Sequence, residues 1–132
     1  MKITADTNIL VRAVVLDDKV QADAAVELLQ SAELIAVPTP CLCEFVWVLK
    51  RVYGFSTRDI SAAIGALMDV ASVSANRGAV EAGLAVLEAG GDFADGAIAF
   101  EGTWLGGETF VSFDQQAVSV LSRQGQSASV LI

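Results

Sequence analysis

Histidine is missing from this 132-residue sequence. Its absence excludes nucleophilic catalysis of the Ser-His-Asp and Cys-His types, and it excludes cleavage of RNA by imidazole acid–base chemistry. Any hydrolysis that the chain performs must therefore depend on carboxylates, lysine, tyrosine or a bound metal ion.

Cysteine is scarce as well. Cys41 and Cys43 stand two positions apart, where helical side chains point in different directions. We therefore expect two small core side chains and no disulfide. With no histidine and no other cysteine, a zinc site has too few soft ligands. The pair is compatible with a reducing compartment.

Neither a membrane span nor a secretory signal is visible. No apolar run approaches the ~18 residues that a span requires. Met1-Lys2-Ile3 leads directly to Asp6 without the longer apolar segment of a signal peptide. Apolar residues make up 54% of the chain, which is enough for a continuous core. We expect a soluble cytoplasmic protein in which residues 1–132 form one domain.

Positive charge is in short supply. The chain has 8 Lys and Arg against 16 Asp and Glu, which gives a net charge of −8. Because a nucleic-acid-binding surface is normally basic, this balance is an objection to such a function. Acids that converge on bound cations weaken the objection, since the cations reverse the local field. Arg12, one helical turn after Asn8, is either a phosphate contact or a solvated surface residue.

Short apolar segments alternate with helical patterns along the chain. Five segments are predicted as strands, near residues 3–5, 34–37, 70–73, 110–113 and 129–132. Helices are predicted between them, one of which has Thr39 as its N-cap and Pro40 at its first helical position. The alternation predicts an α/β protein of three layers, α/β/α, with a central, mainly parallel sheet of about five strands.

Four carboxylates follow predicted strands or lie early in predicted helices: Asp6, Glu44, Asp95 and Asp114. Sites in open parallel sheets form beyond the carboxyl ends of the strands, so we expect all four acids at one rim. Converging carboxylates without histidine suit a hard cation such as Mg²⁺ or Mn²⁺, which activates water and neutralises phosphate in phosphodiester cleavage. The aspartates, like Asp92, also have an alternative interpretation as caps of helix N-termini.

Glu44 is harder to explain by capping. It lies off the main apolar stripe of its helix, yet its neighbours in sequence, from Cys43 to Val48, are otherwise all apolar. A carboxylate in such a segment needs a partner, which is either Arg51 or a metal ion. The helix around Trp47 is apolar on more faces than one core contact requires, which indicates either an interface or burial on both sides.

The acids belong to motifs that resemble those of the PIN-domain family, and the VapC-type toxins of bacterial toxin–antitoxin pairs look closest. The motifs, in order, are Asp6-Thr7-Asn8 after a strand, Glu44 early in a helix, Asp92-Phe93-Ala94-Asp95-Gly96-Ala97-Ile98-Ala99 opening a helix, and Ser112-Phe113-Asp114 after a late strand. The resemblance covers essentially the whole chain.

The resemblance implies a PIN-like fold and a homodimeric endoribonuclease that depends on Mg²⁺ or Mn²⁺ and acts on RNA. It implies that Asp6 and Asp95 are the principal metal ligands and that Glu44 and Asp114 complete the acidic cluster. Two further residues, Asn8 and Ser112, would orient ligands or substrate. The resemblance also implies a cognate antitoxin, whose tail would place a basic side chain among the acids and which can join the toxin in a larger assembly.

Two departures from the family pattern stand out. Gly96 occupies a position where the family usually has a larger residue such as alanine, a change that we expect to be harmless. Gln115-Gln116-Ala117 follows Asp114 where the family often carries a basic or aromatic residue, which together with the acidic charge would weaken binding of RNA.

Two other functions stay open at this point. A PIN-like fold that acts through protein contacts, with little or no catalysis, is consistent with the acidic surface. A phosphatase that uses Asp6 as a nucleophile is a weaker alternative. Such enzymes commonly have a second acid two residues on, and here that position is Asn8.

Overall fold

The computed structural model describes residues 1–132, which form two compact units, an N-terminal unit (Met1–Asn76) and a C-terminal unit (Arg77–Ile132). The N-terminal unit contains β1 (Lys2–Thr4), α1 (Thr7–Val14), α2 (Lys19–Ser31), β2 (Leu34–Ala36), α3 (Thr39–Arg51), α4 (Thr57–Met68) and β3 (Val73–Ser74). The C-terminal unit contains α5 (Arg77–Glu88), α6 (Phe93–Trp104), β4 (Phe110–Ser112), α7 (Gln115–Arg123) and β5 (Ala128–Val130).

The N-terminal unit is built on a parallel sheet with the strand order β1-β2-β3. Ile3 pairs with Ile35 in the register of β1 and β2, and Ile35 pairs in turn with Val73 of β3. Ile35 is completely buried, as a central strand of a covered sheet requires. The helices bury apolar side chains at helical spacing, among them Leu10, Phe45, Leu49, Ile60 and Ile64.

The C-terminal unit contains one parallel strand pair, β4 and β5, and three helices. Its helices α5 and α6 pack closely because glycines face the partner helix. A Cβ built on Gly83 would lie 2.6 Å from the ring of Phe93. A Cβ built on Gly96 would meet the carbonyl group of Ala82, with the carbonyl carbon at 2.8 Å. Gly96 is therefore more than a harmless departure from the family pattern, since the backbone of α5 occupies the space of any side chain there.

The predicted α/β class with parallel strands is confirmed, and the chain has the five strands expected. Hydrogen bonding divides them into a sheet of three and a sheet of two. The third strand is shorter than predicted and begins at Val73. The amide of Val73 donates to the carbonyl of Val70, so residues 70–72 form a turn, and from this turn the carbonyl of Ser72 accepts the amide proton of Ile35 in β2.

The prediction that Thr39 caps α3 is wrong. The helix begins at Thr39 itself, and the N-cap is Pro38, which forms no side-chain capping bond. Pro40 is therefore the second residue of the helix, one position later than predicted, where its missing amide still costs no hydrogen bond. The predicted cap at Asp92 is confirmed, since its side chain accepts from the amide of Ala94, and α4 is capped by Ser56, whose hydroxyl accepts from the amide of Asp59.

The alternative in which α3 is buried on both sides is also wrong. Trp47 and Val52 on this helix are 59% and 60% exposed. Neither cysteine forms a disulfide, as predicted; Cys41 is buried and Cys43 is half-buried. None of the helices combines the length and the apolar character that a membrane crossing requires.

Candidate functional site

Asp6 lies at the point where β1 gives way to α1. The amide of Ala5 donates to the carbonyl of Ala36, so the chain leaves β1 beside the end of β2. Asp6 is the N-cap of α1, and its Oδ1 accepts the amide proton of Thr7 at 2.8 Å. The carboxylate is exposed, so it combines the capping role with access to solvent.

Glu44 lies in the second turn of α3 and is exposed to solvent. Of the two partners that the sequence left open, Arg51 forms no ion pair with Glu44. The argument that Glu44 needs a partner is wrong because its apolar neighbours Phe45 and Val46 face the core while Glu44 itself is solvated.

A buried thiol connects these two acids. The Cys41 Sγ donates to the carbonyl of Ala5 at 3.5 Å and accepts from the hydroxyl of Thr7 at 3.6 Å. Burial raises the pKa of Cys41, the hydrogen bond from Thr7 opposes that rise, and the charges of Asp6 and Glu44 add to it. Both carboxylates therefore lie within electrostatic range of one thiol, and we call Asp6 and Glu44 the first acid pair.

A second group of acids occupies the C-terminal unit. Asp92 caps α6, Asp95 lies in the first turn of the same helix, and Asp114 caps α7 by accepting the amides of Gln116 and Ala117. The pKa of Asp95 is raised, mainly by burial and further by the charges of Asp92 and Asp114. We call these three aspartates the second acid group.

The capping interpretation of Asp6, Asp92 and Asp114 is correct but incomplete. One helix cap explains one carboxylate at one N-terminus, whereas the raised pKa of the half-buried Asp95 arises first from burial and then from the charges of Asp92 and Asp114. Within each unit, two acids therefore lie within electrostatic range of one group, which is Cys41 in the N-terminal unit and Asp95 in the C-terminal unit. The sequence prediction that all four share one rim stays a prediction.

The two residues expected to orient ligands have different surroundings. Ser112 Oγ accepts the amide proton of Asp114 at 3.0 Å, so it fixes the start of the loop that carries this aspartate. Asn8 is exposed in the first turn of α1, two residues after Asp6.

Arg12 is occupied by other partners. Its guanidinium contacts Asp17 at 2.7 Å, Gln21 at 2.8 Å and the hydroxyl of Tyr53 at 3.4 Å. The hydrogen bond with Tyr53, followed by the charge of Asp17, raises the pKa of Arg12 although burial opposes this. These contacts connect the end of α1 to α2 and to the segment that follows α3. They give no support to a contact between Arg12 and the phosphate of a nucleic acid.

The donors present fit a hydrated hard cation. The acids are exposed or half-buried and offer only oxygen, and Mg²⁺ in proteins is usually held by one or two carboxylates together with several waters. No three His, Cys, Asp or Glu side chains lie close enough together to hold one ion by themselves. Each unit thus contributes acids that suit a cation with retained waters, rather than a closed cage of protein ligands.

The contacts of Thr7 and Cys41 were missed by sequence reasoning. Thr7 follows Asp6 directly and Cys41 precedes Glu44 by one helical turn, so the spacing places each of them beside a predicted site acid. Spacing alone does not predict the contact between them, because the hydroxyl meets a thiol 34 residues away only through the register of β1 with β2.

Comparison with known protein families gives one match. A model described as the PIN domain matches residues 3–117 of the chain. The matched region includes both acid groups and crosses the boundary between the two units. No curated protein matches the chain.

Proposed function

Because the chain belongs to the PIN domain family, whose members are generally metal-dependent nucleases, we propose that it is an endoribonuclease that depends on Mg²⁺ or Mn²⁺. We further propose that it is the toxin of a toxin–antitoxin pair. The observation that carries the nuclease proposal is the match of the family model to residues 3–117, which contain all four acids. The raised pKa of the half-buried Asp95, caused first by burial and then by the charges of Asp92 and Asp114, supports it, because a bound cation would favour the ionised carboxylate.

The proposal assigns cation binding to Asp6 and Asp95, with Glu44 and Asp114 assisting directly or through water. When bound, the divalent cation supplies a water of lowered pKa and neutralises charge on the scissile phosphate. Ser112 holds the backbone of Asp114 through its hydroxyl. Asp6 is held by its capping bond with Thr7. Asn8 directly follows Thr7, and its exposed side-chain amide can contact substrate.

The experiment that tests the proposal compares three aspartates that are changed to asparagine. Asp6→Asn and Asp95→Asn remove a charge from the proposed site, and Asn caps a helix about as well as Asp. Asp18→Asn is the matched control because Asp18 also caps a helix, accepting from the amide of Gln21 at 3.0 Å, and lies outside both acid groups.

Cleavage of single-stranded RNA with Mn²⁺ should be lost in the two site variants and retained in Asp18→Asn. EDTA should abolish cleavage by the unchanged protein. Equal cleavage by all three variants would contradict the proposal, because it would point to a contaminating nuclease.

One functional domain is part of the proposal. The match to a single family model across the boundary at residues 76 and 77 supports the view that residues 1–132 act as one PIN-like domain. Separately expressed halves, each folded by circular dichroism, should be inactive alone. Full activity of either half would refute this view.

A homodimer is proposed from the exposed apolar surface of α3. Trp47 of α3 and Val52 at its C-cap are large apolar side chains that remain exposed in the single chain, and association of two copies would cover them. Light scattering should give twice the monomer mass, and Trp47→Lys should give the monomer. A dimer that is indifferent to this change would exclude α3 from the interface.

An antitoxin is proposed as the protein partner. The N-terminal unit has an apolar groove of about 810 Å³, lined by residues such as Leu10, Leu29 and Leu67. The net charge of −8 favours a partner of opposite charge. Co-expression with the product of a small adjacent reading frame should give a stable inactive complex, which Ala66→Arg in the groove should weaken. A complex that leaves the nuclease fully active would contradict an antitoxin role.

A binding module without catalysis is the second candidate. It is favoured by the net charge and by the absence of three acids close enough to hold an ion. Calorimetric titration separates the two candidates, since a module of this kind would bind no Mn²⁺ at millimolar concentration.

A further inference from the structure

Cys41 contacts both residues that flank Asp6 in sequence. Its thiol donates to the carbonyl of Ala5 and accepts from the hydroxyl of Thr7. The thiol therefore holds the chain on either side of Asp6, at the step from β1 into α1. Asp6 itself accepts the amide proton of Thr7, so the hydroxyl and the amide of one residue connect the thiol to the carboxylate.

Cys41 also shares a helix face with Glu44. Residues three apart on a helix are neighbours on its surface, and Cys41 lies in the first turn of α3. The buried end of this face is anchored to Ala5 and Thr7, while its outer part carries the exposed Glu44. One side chain thus links the backbone around Asp6 to the helix that carries Glu44.

Simple core filling does not explain this arrangement. Thr7 is the one buried polar residue of the chain, with an exposed fraction of 8%. A buried hydroxyl requires a hydrogen-bond partner, and an alanine or valine at position 41 would supply none. The thiol satisfies this requirement and, as a weak donor, returns a hydrogen bond to Ala5.

We propose that Cys41 is a positioning residue that, with Thr7, sets the placement of Asp6 relative to Glu44 for binding a divalent cation. The inference rests on the proposed nuclease function. It adds that the first acid pair depends on a buried thiol–hydroxyl contact which contains no metal ligand. Residues that orient metal ligands in this way typically contribute 10- to 100-fold to metal affinity.

The test compares variants that remove the contact with variants that preserve it. Thr7→Val and Cys41→Ala remove it, whereas Thr7→Ser keeps the hydroxyl and Cys41→Ser replaces the thiol with a hydroxyl that can still bond Thr7 and Ala5. Ile64→Val is the stability control, because Ile64 is fully buried in the same unit and lies far from the acids in sequence. Binding of Mn²⁺ by calorimetry, without RNA, is the main readout, and thermal unfolding is measured on every variant.

Thr7→Val and Cys41→Ala should each raise the Kd for Mn²⁺ about tenfold or more, and Thr7→Ser should restore most of the affinity. The double variant should bind Mn²⁺ no more weakly than either single one, since both changes remove the same contact. Ile64→Val should retain the affinity of the unchanged protein even if it unfolds at a lower temperature.

Unchanged Mn²⁺ affinity in Thr7→Val and Cys41→Ala would overturn the inference while leaving the nuclease proposal intact. Additive losses in the double variant would overturn it too. If the unchanged protein binds no Mn²⁺, both the proposed function and the positioning role fail. A non-additive thermal unfolding cycle would then still establish the contact as purely structural.

Discussion

Gly96→Ala tests the close approach of α5 and α6. The added methyl group would meet the backbone of α5, with the Cα of Gly83 at 2.9 Å and the carbonyl carbon of Ala82 at 2.8 Å. Since a helix backbone cannot rotate away as a side chain can, the helices must separate. Overpacking costs about 1–3 kcal/mol, and the gain in helix propensity from Gly to Ala offsets about 0.5–1 kcal/mol. With a packing cost of about 3 kcal/mol, the free energy of unfolding should fall by about 2 kcal/mol after the propensity gain is subtracted.

Gly102→Ala is the matched control on the same helix. Nothing lies within 4 Å of a Cβ built at Gly102, so only the propensity gain of about 0.5–1 kcal/mol applies. Thermal unfolding followed by circular dichroism measures both variants, and Gly96→Ala should lower the melting temperature by roughly 8 °C. A Gly96→Ala protein as stable as the unchanged chain would refute the packing argument, provided that Gly102→Ala behaves as expected.

Three further predictions concern the acids and the thiols. Because the pKa of Asp95 is raised in the folded protein, the folded protein binds more protons than the unfolded chain does. The contribution of Asp95 to the free energy of unfolding therefore falls as pH rises. Urea unfolding of Asp95→Asn should therefore show it gaining stability relative to the unchanged protein between about pH 3 and pH 7; a constant difference would contradict the raised pKa. Mn²⁺ at 100 times its Kd should stabilise the unchanged protein by about 2.7 kcal/mol in thermal unfolding, and an equal gain in Asp6→Asn would argue against binding there. A thiol reagent should label Cys43 before the buried Cys41, and the reverse order by mass spectrometry would contradict the burial.

Local chemistry explains which parts of the fold could be predicted. The caps at Ser56, Asp92 and Asp114 depend on a side chain and an amide two or three residues away, so the sequence carries the whole interaction. The parallel strands could be predicted for a similar reason, since short apolar segments between helices have few other arrangements.

Contacts between distant segments explain what could not be predicted. The space that Gly96 leaves is filled by the backbone of Ala82, and only the packing of α6 on α5 reveals it. The neighbours of Glu44 in sequence predict that it needs a partner, whereas its exposure follows from its angular position on α3. Core filling is all that the sequence predicts for Cys41, because its partners, Ala5 and Thr7, lie 36 and 34 residues away in the chain.

The acidic balance of the chain has a consequence for the proposed nuclease. Two of the eight basic side chains, Arg12 and Lys19, are paired with Asp17 and Asp23 at 2.7 and 2.8 Å, so they offer little to a phosphate backbone. RNA approaching Asp95 meets a carboxylate that neighbouring aspartates already crowd. Repulsion between like charges falls once a divalent cation is bound, because the cation inverts the local field. For the proposed function, a bound cation would therefore assist the binding of RNA as well as its cleavage.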